Sequence, residues 1–126
     1  MTEAGRRRIV GVLAAIRIGI GTAFAAGPNR LDGRVAHTRA DTLMTRTFAV
    51  REVVLGVGGL LATTGAQASP AAVRRWAGLG ALTDGGDLAA ALPGIQRSEP
   101  STWAPALVAA AGLVVESWAF FVPAQP

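Results

Sequence analysis

Four apolar segments follow one another along the chain, separated by short polar stretches. Each is close to the about 20 residues that a helix needs to cross a bilayer. Ser69 and Pro70 suit the N-cap and first position of the third helix. Short links make neighbouring helices antiparallel. The pattern predicts an all-α, up-down four-helix transmembrane bundle that forms a single domain over 1–126, with helices at about 8–26, 41–64, 70–92 and 101–122.

Two other interpretations of the apolar pattern are less consistent with it. A soluble bundle needs a polar face on every helix, whereas residues 104–115 carry no charge at all. A cleaved signal peptide would explain the basic start of the chain, but Arg17 interrupts the apolar region and three further hydrophobic segments follow. We therefore expect residues 9–26 to be retained as the first membrane span.

The amino-acid composition argues against some classes of function but does not identify one. Hydrophobic residues make up 51% of the 126 residues and charged residues only 16%, below the quarter that is typical of soluble domains. There is no cysteine, and all twelve basic residues are arginine. These arginines are scattered, so we expect no nucleic-acid partner. We also expect no cofactor, and His37 lies in a polar loop typical of a surface histidine.

The arginines that flank the apolar segments indicate how the chain is oriented in the membrane. Five lie on the side of the two termini and four on the other side, which by the positive-inside rule favours cytoplasmic termini. The expected location is the bacterial inner membrane, as a multi-pass protein in contact with membrane lipid.

Charged residues inside the apolar segments are costly and persist when paired or functional. Spacings of three and four place each acid of the last three segments on a seam of small residues. Glu52 lies between Ala49 and Gly56, Asp84 follows Gly80, and Glu116 follows Gly112. We therefore expect the acids to point into the bundle, together with three cations: Arg17, Arg46 and Arg51.

Three uses of this set remain open. Asp84 and Asp87, three apart on one face, together with Glu52, are candidate catalytic residues, since a buried acid that keeps its proton serves as a general acid. The corresponding function is a membrane enzyme that isomerises or cyclises a lipophilic, isoprenoid- or lipid-like substrate. Arg17, Arg46 and Arg51 are candidate ligands for an anionic head group on a lipophilic small molecule. The alternatives are structural ion pairs that fix helix register, or a proton-coupled transport or assembly subunit. Competing arginines make a metal site unexpected.

The first segment carries a ridge of small residues at every fourth position, on the side opposite Arg17. Such ridges allow two helices to approach closely and predict a possible homodimer. Abundant Ala and Gly provide a simpler explanation. The ridge consists of Gly11, Ala15, Gly19 and Ala23.

The motif pattern resembles a family. Arg46-x-x-x-x-Arg51-Glu52-x-x-x-Gly56-x-Gly58, followed by Arg74-Arg75-Trp76 and Asp84-x-x-Asp87, is similar to small four-helix actinobacterial membrane proteins of unknown function, loosely DoxX-like. The resemblance covers about residues 8–122. It implies a four-helix integral membrane protein without an established activity, and one shared site for Arg46, Arg51, Glu52, Asp84 and Asp87. Ala49 and Gly85-Gly86 depart from the pattern.

Overall fold

The computed structural model describes residues 1–26, 39–66, 68–98 and 100–123. These residues form four helices and no strand, which confirms the all-helical prediction. The predicted polar connection over residues 27–38, with His37, lies outside the described residues. The helices are α1 (Glu3–Ala26), α2 (Arg39–Thr64), α3 (Pro70–Gln96) and α4 (Pro100–Phe121).

Local capping explains where helices begin and end. The Thr2 hydroxyl accepts a hydrogen bond from the Gly5 backbone amide (3.1 Å), so α1 begins five residues before the predicted position. Ser69 caps α3 as predicted, accepting from the Ala72 amide (3.1 Å). The sequence predicts that α3 ends before Pro93, but the helix continues for one more turn to Gln96.

The four helices pack mainly as two pairs, α1 with α2 and α3 with α4. Glycines bring the first pair into backbone contact. A Cβ added at Gly21 would lie 2.6 Å from the Ala49 carbonyl oxygen, and one at Gly56 would lie 2.6 Å from that of Ala14. Each helix therefore supplies one glycine to the other. The contacts of Gly21 with Ala49 and of Ala14 with Gly56 show that α1 and α2 run antiparallel.

Aromatic rings of neighbouring helices pack directly against other glycines. A Cβ at Gly58 would overlap the ring of Trp76 on α3, and one at Gly78 would meet the ring of Phe120 on α4. Gly58 of α2 and Gly78 of α3 therefore serve packing between helices.

The distribution of apolar side chains is inverted relative to a soluble protein. In the part of the chain that the structure describes, the buried apolar residues are seven alanines and two valines, Val10 and Val73. Large apolar side chains lie on the outside instead, among them Val12, Ile16, Val54, Leu82, Leu107 and Phe121. Two helical segments, Glu3–Ala26 and Leu43–Thr64, are long and apolar enough to cross a membrane by length and composition.

The glycine contacts of the first pair give a prediction. We expect Gly21→Ala and Gly56→Ala each to lower the free energy of unfolding by about 1–3 kcal/mol, because the added methyl group collides with backbone. Unfolding by a denaturing detergent measures the effect.

Gly19→Ala is the matched control, since a Cβ there meets nothing within 4 Å and alanine favours the helix. Equal losses at Gly19 and Gly21 would contradict the packing argument.

Candidate functional site

A charged cluster in the interior takes one buried side chain from every helix. Arg17 of α1 is 9% exposed, Glu52 of α2 is 3% exposed, Asp84 of α3 is 6% exposed and Glu116 of α4 is 5% exposed. Each acid lies on the small-residue seam of its helix, as the spacing predicts. The four helices therefore converge on one guanidinium group.

Arg17 hydrogen-bonds to all three acids. Its Nη1 donates to Glu52 Oε2 (2.6 Å), and its Nη2 donates to Asp84 Oδ2 (2.8 Å). The same Nη2 lies 3.0 and 3.1 Å from the two carboxylate oxygens of Glu116, and Nε lies 3.2 Å from Glu116 Oε1. These contacts join the α1–α2 pair to the α3–α4 pair.

A second arginine extends the cluster toward its edge. Arg51 donates through Nη2 to Glu52 Oε1 (2.9 Å), and through Nη1 and Nη2 to the two oxygens of Asp87 (2.7 and 2.6 Å). This two-bond geometry is the strong form of an arginine–carboxylate pair. The Arg51 guanidinium also lies 5.0 Å from the centre of the Phe48 ring. The Arg51 and Asp87 side chains keep 30% and 35% exposure, so this end is only half buried.

Two glycines make room for the acids of the second helix pair. Asp84 lies against Gly112 of α4, and Glu116 lies against Gly80 of α3; a Cβ at either glycine would overlap the facing carboxylate. The arrangement is reciprocal, because each helix carries a glycine four residues before its acid. Repetition of Gly-x-x-x-acid in two apolar segments is a sequence signal for this pairing.

The space around the cluster is small. A cavity of about 10 Å³ is bounded by Arg17, Glu116, Gly59 and Trp76, among other residues. That is about the space of one water molecule, whereas pockets for small-molecule ligands span about 300–1,000 Å³. Direct ion pairs, rather than an open pocket, occupy the centre of the bundle.

The structure places the predicted site residues in two groups. Arg17, Arg51, Glu52, Asp84 and Asp87 come together, and Glu116 joins them. Arg46 is exposed on α2 and lies outside this set of contacts. Arg46 precedes Arg51 by five residues, which places it on a different part of the helix surface.

A second buried arginine was not predicted. Arg6 is 2% exposed, donates to Glu3 Oε2 (3.1 Å) and also donates to the Val122 carbonyl oxygen just beyond α4. Arg74 donates to the Phe120 carbonyl oxygen nearby (3.2 Å). Both cations satisfy acceptors at the C-terminal end of a helix, where its dipole favours positive charge. The sequence does contain a signal for this buried arginine. Its spacing places Arg6 on the same face of α1 as the buried residues Val10, Ala14 and Arg17.

Comparison of the chain with protein-family models, curated proteins and solved structures gives no match. The DoxX-like resemblance therefore stays a prediction.

The contacts of Arg17 give a prediction. We expect Arg17→Met to lower the free energy of unfolding by about 3–5 kcal/mol, since it leaves three buried carboxylates without their shared cation. Arg17→Lys should also be destabilising, because an ammonium group cannot reproduce the planar fork that meets several carboxylates. Thermal unfolding in a mild detergent measures both variants.

Arg46→Met is the matched control, because it removes an exposed arginine from the neighbouring helix. It should change the unfolding midpoint little. An Arg17→Met variant as stable as this control would show that the cluster does not hold the helices together.

Proposed function

We propose that the chain is a small integral membrane protein with four membrane-spanning helices in up-down order, and that its arginine–carboxylate cluster fixes their arrangement. The observation that carries this proposal is the inverted polarity of the bundle. Among the described residues, five charged side chains are buried but only two large apolar ones, Val10 and Val73, whereas eighteen large apolar side chains are exposed.

Energetics favour a membrane for such a distribution. In water, burial of one large apolar side chain stabilises a fold by about 1.5–3 kcal/mol, and this bundle leaves many of them outside. Burial of charges in an aqueous fold adds a further desolvation cost. In lipid the exposed valines and leucines face an apolar solvent, and the interior is where paired charges belong.

Contacts between helices support the up-down order. Phe24 meets Phe48 at one end of the α1–α2 pair, whereas Gly11 lies near Thr63 at the other end. Arg6 meets Val122, so the start of α1 lies beside the end of α4. This proximity supports placement of both termini on one membrane side. Their cytoplasmic location rests on the arginine distribution alone.

Helices α3 and α4 complete the proposed set of four spans. The acids of α3 lower its average hydropathy, but Asp84 is buried and Asp87 is paired with Arg51, so neither presents an unpaired charge to lipid. The apolar part of α4, Pro105–Phe121, has 17 residues, at the short end of the range for a span.

The cluster is better suited to a structural role than to catalysis on a lipophilic substrate. Its acids contact arginines directly, and the adjoining cavity has space for about one water molecule. The surface that a homodimer would use is the exposed part of the α1 ridge, Ala15, Gly19 and Ala23, because Gly11 faces Thr63 within the chain.

The cysteine-free sequence permits a direct test of topology. Single substitutions Ala4→Cys, Ala68→Cys and Pro123→Cys should react with a membrane-impermeant maleimide on one side of the membrane. Ser98→Cys should react only from the other side, because α3 separates it from Ala68.

Leu82→Cys is the internal control, since its exposed side chain should face lipid and stay unlabelled until detergent is added. Labelling of Leu82→Cys in intact membranes, or recovery of the chain in the soluble fraction, would contradict the proposal.

A further inference from the structure

Charge in the cluster does not balance. Its members are two guanidinium groups, Arg17 and Arg51, and four carboxylates, Glu52, Asp84, Asp87 and Glu116. With every acid ionised, the described part of the chain would leave an excess of two negative charges in the cluster. Such an excess is strongly unfavourable in a low-dielectric interior. We propose that the cluster is a proton-binding site, and that Asp84 and Glu116 together hold one proton at neutral pH.

The hydrogen bonds indicate which acids hold the proton. Glu52 accepts from both arginines, and Asp87 accepts two bonds from Arg51 at the half-exposed edge. Asp84 and Glu116 instead depend on Arg17 alone. They share its Nη2, which has only two hydrogens to donate, and Glu116 also accepts from Nε. Arg17 supplies one positive charge to this pair and to Glu52. The pair is therefore the least compensated part of the cluster.

Space around the pair favours a proton over a larger cation. The two acids fit into gaps opposite Gly80 and Gly112, where a single methyl group would overlap them. The cavity beside Glu116 has room for about one water molecule. Its lining residues Val10, Gly59 and Trp76 extend toward the end of the bundle where Arg6 meets Val122. A water molecule in this cavity would lie beside Glu116.

The inference rests on the proposed membrane setting, because lipid around the bundle prevents counterions from balancing the cluster. Infrared spectroscopy of the full chain in lipid vesicles tests it at neutral pH. The wild-type protein should show the C=O stretch of a protonated carboxylic acid. Labelling all aspartate or all glutamate carboxyls with ¹³C assigns the band to one residue type.

Variants then locate the proton. Asp84→Asn and Glu116→Gln should each abolish the band, because each replaces one acid by a neutral isostere and leaves the other ionised beside Arg17. Glu3→Gln is the matched control and should retain the band, because Glu3 pairs with Arg6 outside the cluster. Glu116→Gln should also keep the wild-type unfolding midpoint, since this variant preserves the net charge of the protonated cluster. Glu52→Gln should instead lower the unfolding midpoint.

Absence of the band in wild-type protein would overturn the inference, as would its persistence in both Asp84→Asn and Glu116→Gln. Failure of Glu116→Gln to fold would also contradict it, because the neutral isostere should mimic the protonated acid. Maleimide labelling separates these failures from failure of the membrane proposal: correct topology without the band overturns the proton site alone.

Discussion

The ion pairs of Arg17 are the interaction on which the rest of the structure depends. One guanidinium contacts an acid from each of the other three helices. The helices otherwise pack as two pairs through glycine, alanine and aromatic contacts. In the proposed membrane setting, apolar contacts between helices gain little over contacts with lipid, so directional charged contacts are well suited to fix how the two pairs meet.

Small residues make this arrangement possible. Gly21 and Gly56 bring α1 and α2 into backbone contact, and Gly80 and Gly112 leave gaps that the carboxylates fill. The charged cluster is therefore closely enclosed and has little space for a ligand. A cluster that connects every helix and excludes all but about one water molecule is suited to stabilise the bundle and to hold a proton.

Much of this could be predicted from sequence, for identifiable reasons. Apolar segment lengths predict the four helices, and spacings of three and four predict that Glu52, Asp84 and Glu116 point inward. Periodicity gives only the direction of a side chain around its helix, so it could not show that Arg17 meets all three acids. It places Arg46 and Arg51 on different parts of the α2 surface, but it could not show that Arg51 is the one that pairs with Asp87 while Arg46 is exposed. Arg6 was missed because a basic N-terminus is usual beside a membrane, and its carbonyl partner at Val122 is set by tertiary structure.

The most direct test of the central claim is a distance measurement on Arg17 in lipid bilayers. Solid-state NMR would measure dipolar coupling between ¹⁵N-labelled arginine side chains and ¹³C-labelled carboxyl groups, with sequential resonance assignment of the wild-type protein identifying the Arg17 signal. The account predicts short contacts from Arg17 to both glutamate and aspartate carboxyl carbons, consistent with hydrogen bonds of 2.6–3.0 Å. Coupling of the Arg17 guanidinium to lipid phosphate or water alone would contradict it.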